Sequence, residues 1–327
     1  MAVCAIAVLA LTGCKKDPAD TNPQQTGGDG IYNPGAKIAT VTTDNEVQTW
    51  TWNGSKLDRI ETTDLNGDAT GVQQFSYNGN RISSITQTVA GVATETRINY
   101  AGNLISSIGI LTDGNQSVTA TVSHNADNKI SRMDLDIDAS YFGNLLGMLM
   151  QGGFNFKDAK VNSKLSLNSA TVYATFEWQG DNVSRMIVNA DIDGGISMDD
   201  ISQFVDLTEV LGEAASFASL IQGEQPLVIS LRDTMEFTYD NNHNPMQGLI
   251  GILDPTALSA NNAILTDNHG MADITLTLNI PILGAYPIER SEPIVRVTDL
   301  FYTYNEAGFP LTVHDDEGNQ TTYTYHE

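Results

Sequence analysis

Two short runs alternate carboxylates with apolar residues: Asp134, Asp136 and Asp138 around Leu135 and Ile137, and Asp191 and Asp193 around Ile192. Successive side chains of a strand point to opposite faces, so each run puts its carboxylates on one face. If the two strands met, their oxygens would suit a hard cation such as Ca2+, the one cofactor the sequence suggests. Convergent carboxylates with a raised pKa would instead serve a hydrolase. A solvated outer face, with the intervening residues turned to a core, accounts for the same pattern and is the expected reading. The run Asp64-Leu65-Asn66-Gly67-Asp68 lacks calcium-loop spacing and reads as a hairpin turn.

A second set of chemistry-bearing residues is aromatic. Trp50, Trp52, Tyr77, Tyr100 and Trp178 would form a sugar-stacking platform if they faced outward. Their regular recurrence points instead to packing. The five histidines, His124, His243, His269, His314 and His326, are scattered, and four adjoin turn-forming residues. No metalloprotease H-E-x-x-H, phosphate-binding loop or G-x-S-x-G elbow is present, so no catalytic residue is assigned.

The elements that carry these residues repeat. A pair of aromatic or apolar residues one position apart is followed by a Gly/Asn/Asp turn. An apolar residue comes five places after the second member, and another three later. Trp50 and Trp52 lead to Leu57 and Ile60; Phe75 and Tyr77 lead to Ile82 and Ile85; Tyr100 leads to Ile105 and Ile108; Phe176 and Trp178 lead to Val183 and Met186. Val122 to Met133, Phe237-Thr238-Tyr239 and Tyr302-Thr303-Tyr304 are looser copies, and the chain ends mid-pattern at Tyr323-Thr324-Tyr325. Each copy reads as strand, tight turn, strand, and successive copies make an antiparallel meander. Apolar residues three apart would face opposite ways in a regular strand, so either a β-bulge in each hairpin, the favoured reading, or a sheet covered on both sides near its turns is expected.

Helical spacing interrupts the meander at about 139–152 and 198–223, with a further short turn in Met246 to Ala260. The expected fold is therefore mainly β: an antiparallel meander of hairpin repeats forming a curled sheet or barrel-like body. One to three helical insertions would pack on it.

The amino terminus reads as an address. Residues 1–13 have the short apolar stretch of an export signal, too short to span a bilayer. Leu11-Thr12-Gly13-Cys14 resembles the lipobox of bacterial lipoproteins, which implies lipidation at Cys14. Residues 14–35 are too polar to bury a core and read as a lipid-anchored disordered tether, leaving 36–327 as a single domain. The only cysteines, Cys4 and Cys14, precede that domain, so no disulfide staples it. A formal net charge of -24 opposes binding to phosphate backbones, and nucleic acid is excluded as an expected partner.

The unit Tyr-x-Tyr-Asn/Asp-x-x-Gly-x-Leu/Ile, closest at Tyr302 to Tyr325, resembles the tyrosine-aspartate repeats of Rhs-type proteins. With the lipobox and tether, the chain from Lys37 to Glu327 also resembles a family of Bacteroidetes lipoproteins of unknown function with a porin-like β fold. That resemblance implies an outer-membrane location and no catalytic residues. The expected function is a non-enzymatic cell-envelope scaffold, membrane-held by its lipid, for a glycan or envelope-protein partner. The alternatives are an envelope hydrolase using the acidic rows and a periplasmic carrier of an apolar ligand.

Overall fold

The computed structural model describes residues 29–89, 92–138, 166–197, 201, 221–249, 254–281 and 284–327. Sixteen strands follow one another. The first nine are short: β1 (Ile38–Thr43), β2 (Glu46–Asn53), β3 (Lys56–Asp64), β4 (Ala69–Asn78), β5 (Arg81–Val89), β6 (Val92–Ala101), β7 (Leu104–Thr112), β8 (Asn115–His124) and β9 (Ile130–Ile137). The next five are long: β10 (Ser166–Gln179), β11 (Asn182–Ser197), β12 (Glu224–His243), β13 (Asn261–Ile280) and β14 (Gly284–Tyr304). Two short strands, β15 (Pro310–Asp315) and β16 (Gln320–Tyr325), complete the order. Every strand pairs antiparallel with its sequence neighbours, and β16 pairs with β1 to close the barrel.

The bulge expected from the three-residue spacing is present. In β2–β3, Trp52 faces Leu57 and Trp50 faces Ile60, with the register shifting between Thr51 and Trp52. The extra residue, Asp58, turns Leu57 and Ile60 to the same side. The same register recurs at Tyr77 and Ile82, Tyr100 and Ile105, His124 and Ile130, Trp178 and Val183, Tyr239 and Ala263, and Tyr304 and Pro310. Seven hairpins are thus built to one plan.

The eighth is divided between the two ends of the chain. Tyr325 faces Ile38 and Tyr323 faces Val41, with a register shift between Ile38 and Thr40. The sequence that stops mid-pattern at Tyr325 is completed by Ile38 and Val41 of β1. Eight two-strand units therefore account for the sixteen strands and for their closure.

Neighbouring units are joined by a polar contact that the aromatic residues supply. A bulge locally disrupts the ladder, and the carbonyl beside it accepts a hydrogen bond from the next unit's ring. Trp52 Nε1 donates to Ile38 O at 2.7 Å, Tyr77 Oη to Leu57 O at 2.9 Å and Tyr100 Oη to Ile82 O at 2.6 Å. Trp178 Nε1 donates to Ile130 O at 2.7 Å, Tyr239 Oη to Val183 O at 2.7 Å, and Tyr325 Oη to Pro310 O at 2.8 Å. Burial pushes the Tyr77 and Tyr100 hydroxyls up to about 12, so they stay donors at neutral pH.

The apolar faces all point inward. Every strand contributes buried side chains to one contiguous cluster, from Ile38 and Trp50 through Ile105, Met133 and Ile192 to Val313 and Tyr323. This corrects the expectation of helices packed on the sheet. Among the described residues the named elements are strands alone, and a closed wall buries its inner apolar face against itself rather than against a covering layer of helices. Residues 139–152 lie outside the described residues, as does 198–223 except for Ile201 and Ile221–Gly223, and Gln222 and Gly223 lead without helix into β12. Within Met246 to Ala260 the described residues make hydrogen-bonded turns, tied together by Asn244 Nδ2 donating to Thr256 O and Ser259 O.

The last part of the expected tether is packed on the barrel. Gly30 O accepts from Ile82 N, Ile31 bridges to Arg81, and Tyr32 is buried with its hydroxyl donating to Pro245 O at 3.0 Å. Its ring stacks on Trp52, centroids 5.8 Å apart. At Gly30 a Cβ would collide with the Tyr100 hydroxyl, and φ is +67°, so both space and backbone call for glycine there. The chain thus enters at the rim formed by the seven unit turns.

Candidate functional surface

The acidic rows lie on the outer wall and do not meet. Strand β10 separates β9 from β11, so Tyr173 stands between Asp134 on one side and Asn189 on the other. Each row is answered by its own partners. Arg132 donates to both Asp134 oxygens, at 2.9 Å from Nε, and this hydrogen bonding holds the Asp134 carboxyl below its ordinary range. Arg132 also sits 3.8 Å over the Tyr173 ring. Asp191 accepts from Arg232 at 2.7 Å and from Ser230 Oγ at 2.8 Å, and these contacts lower its pKa in the same way. Asp193 accepts from Asn168 Nδ2 at 3.1 Å, while Asp138 N donates to Ser117 O and Asp136 lies opposite Thr119. Among the described residues, no group of three or more His, Cys, Asp or Glu is assembled to hold a metal.

The aromatic set occupies the inner face and the unit seams. Trp50 is 2% exposed, and Trp52, Tyr77, Tyr100 and Trp178 are half-buried, their polar atoms committed to the neighbouring carbonyls. Cations cover three of these rings from the turns. Lys56 lies 5.1 Å from the Tyr77 centroid and donates to Gly79 O; Arg81 lies 5.5 Å from Tyr100 and donates to Asn103 Oδ1; Lys129 lies 5.3 Å from Trp178 and pairs with Asp181. These rings hold adjacent units together. Asp64 likewise closes its turn as expected, its Oδ1 accepting from Asn66 N and Asp68 N, with Gly67 at φ +89°.

Two features emerge with the closed barrel, the first in keeping with the solvated outer face expected at the acidic rows, the second not legible in the sequence. The first is polarity. Outward positions are Thr49, Thr51, Gln74, Ser76, Asn99, Asp134 and Asp191, while inward positions are apolar. A transmembrane barrel has the reverse arrangement, apolar outside with a polar lumen.

The second is a difference between the two rims. The unit-turn rim carries Lys37, Lys56, Arg81 and Lys129 among its carboxylates. At the opposite rim, the described turns hold Asp44, Glu46, Asp64, Asp68, Asp113, Asp138, Glu224, Asp315, Asp316 and Glu317, with no Lys or Arg.

Beyond this acidic rim the long strands continue as a wall. Strand β14 pairs with β13 along Gly284 to Asp299, but with β15 only from Leu300 to Tyr304. One edge of Gly284–Asp299 is therefore bare of strand partners among the described residues.

No protein-family model matches the chain, and no curated protein is similar to it. Solved structures with a related course of chain include a porin-like protein from Bacteroides uniformis, 12% identical over 89% of this chain and 95% of that one, with a TM-score of 0.39. A porin-like protein from Bacteroides vulgatus is 9% identical over 89% of this chain and 99% of that one, TM-score 0.27. The Photorhabdus luminescens Tc holotoxin pore is 10% identical over 84% of this chain and 16% of that one, TM-score 0.21. These likenesses carry no argument about function, which rests on the residues themselves.

Proposed function

We propose that the chain is a lipid-tethered cell-envelope scaffold, a non-enzymatic barrel that stands in water beside the outer membrane and offers its wall to a protein partner. The observation that carries this reading is the apolar interior and hydrophilic exterior of the closed barrel. Placing such a wall in a bilayer would strand charges such as Asp134, Asp191 and Arg232 in hydrocarbon, at about 2–4 kcal/mol for each basic residue near the midplane. A lipid on Cys14 would supply the membrane attachment that the wall cannot. Because the chain enters at the unit-turn rim, the roughly fifteen residues between Cys14 and Asp29 would, as a tether, put the anchor within about 20 Å of that rim. The acidic rim then points away from the membrane, where its carboxylates avoid an anionic surface.

The test pairs two measurements on the full chain. Cys14→Ser is expected to move the protein from the membrane fraction to the soluble fraction with its β-sheet circular dichroism intact, and the wild-type protein is expected to give no channel conductance in planar bilayers. Membrane retention of Cys14→Ser, or stepwise conductance, would overturn the proposal.

A further inference from the structure

The bare edge of β14 and the side chains on it belong to one surface. Pro287 and Pro293 lie six residues apart on this strand, and both face β13 residues in an unbroken register, opposite Thr277 and Met271. Proline has no N–H, so a ladder keeps it only where that N–H would have pointed off the sheet. In an antiparallel strand alternate residues direct both N–H and C=O to the same neighbour. The groups of Val295 and Val297, in step with the prolines, therefore point at the bare edge. The same parity continues into Phe301 and Thr303, opposite His314 and Thr312 of β15. The two prolines blunt the upper part of the edge, as edge strands are commonly protected. From Ile294 to Asp299 there is no proline, Arg296 and Asp299 are the exposed charges, and no strand pairs with this edge among the described residues.

The outward side chains here are unusually apolar for this wall. Val295 is 74% exposed, Val297 50%, Phe301 47% and Met271 40%. On the outer face Val295 and Val297 are successive, with Pro293 and Met271 paired beside them; His269 lies opposite Val295, Asp267 opposite Val297, and Asp299 separates Val297 from Phe301, which stacks on His314 with centroids 5.0 Å apart. An apolar strip beside unpaired backbone is the combination that a docked strand satisfies, with main-chain hydrogen bonds for affinity and alternate side chains for specificity.

We propose that Ile294–Asp299 is a docking edge for an extended segment of another protein, which adds a strand to β14 in line with β15. The occupant carries apolar residues in alternation, to cover Val295 and Val297, and a basic residue at the end that abuts the β15–β16 turn. That turn sits where β15 stops, since Asp315 faces Leu300 and its N–H bonds Asn319 O at 3.1 Å, leaving Asp316 and Glu317 exposed at the foot of the slot. A second copy of the chain is the poorer occupant, because each copy brings a net charge of -24 to the contact.

The probe is a fluorescent heptapeptide, Lys-Val-Thr-Val-Thr-Val-Lys, titrated against the full chain in detergent and read by anisotropy, beside a twin with glutamate at both ends. The lysine peptide is expected to bind saturably and the glutamate twin about ten-fold more weakly or worse. Val295→Pro, which removes an N–H directed at the bare edge together with the exposed valine side chain, is expected to weaken the lysine peptide by about ten-fold while leaving the melting temperature unchanged. Val297→Lys, which replaces an exposed apolar contact by a positive charge, is expected to do the same and serves if the proline variant melts early. Absence of binding by the lysine peptide, equal binding of both peptides, or indifference to both variants would overturn the proposal. So would a dimer in sedimentation that Val295→Pro dissociates, since the edge would then belong to a second copy. None of these readings depends on lipidation, so they are independent of the Cys14→Ser outcome.

Discussion

Asp233 is the residue whose chemistry is least settled by its surroundings. It is buried on the inner face opposite Gly270, with Oδ1 unpaired, and the buried Asn268 Oδ1 nearby is also without a donor. Gly270 leaves the room: a Cβ there would lie 2.8 Å from Asp233 Oδ1. Burial raises the Asp233 pKa, a hydrogen bond from Asn268 opposing it. A carboxyl whose folded pKa lies above its unfolded one favours the fold below the unfolded value, here near 3.8, and that contribution is lost as pH rises through the folded value. Asp233→Asn removes the buried charge and supplies donors, so it is expected to stabilise the barrel by about 1 kcal/mol at pH 7. Urea unfolding at pH 7 and pH 3.5 checks this, and the gain should shrink at the lower pH. Tyr77→Phe is the converse case. It deprives the Leu57 carbonyl of its donor and is expected to cost about 1 kcal/mol in the same assay at pH 7.

At the scale of the element, the hairpin unit explains both the spacing and the closure. The pairs at i and i+3 are legible in the sequence, and they call for either a bulge that makes them share a face or a sheet covered on both sides; the register shifts show the bulge. What no local pattern could reveal is that β1 and β16 form a unit of the same kind. Ile38 and Leu57 are both fully buried, each facing the second aromatic of its unit. If β1 is a full member of the ring, Ile38→Ala should cost as much as Leu57→Ala, about 2–5 kcal/mol by denaturant unfolding. A loss under about 1 kcal/mol at Ile38 beside a large loss at Leu57 would mean that the terminal strand frays. The expected covering layer of helices is corrected at this same scale, the named elements among the described residues being strands alone. Helical spacing is a property of a segment, whereas the need for a covering helix depends on whether the sheet closes.

For the whole molecule, the entry of the chain at one rim gives the proposed tethering a direction. A short unit strand of nine residues spans about 30 Å, so the two rims should stand at clearly different distances from a membrane. The domain has no cysteine of its own, which makes single labels simple to place. A donor dye at Asn80→Cys, on the unit-turn rim, is expected to transfer strongly to acceptor lipids in vesicles that carry the acylated chain. The same dye at Asn45→Cys, on the acidic rim, is expected to transfer weakly. Equal transfer from both positions would refute the orientation and leave the anchor itself untouched.

By itself the sequence determined the strand-turn-strand unit, its bulge, the polar Asp64 turn and the inward use of Trp50, since each follows from side-chain alternation and turn chemistry within about ten residues. It also supplied the lipobox reading of Cys14, which the described residues do not reach. Only the tertiary structure decided that the sheet closes, that the last unit is shared by the two ends, and that the rows at Asp134 and Asp191 are parted by β10. The same holds for the bare edge at Val295. Each of these depends on which strands become neighbours, and that is fixed by closing the ring so that the inward apolar faces are buried against one another.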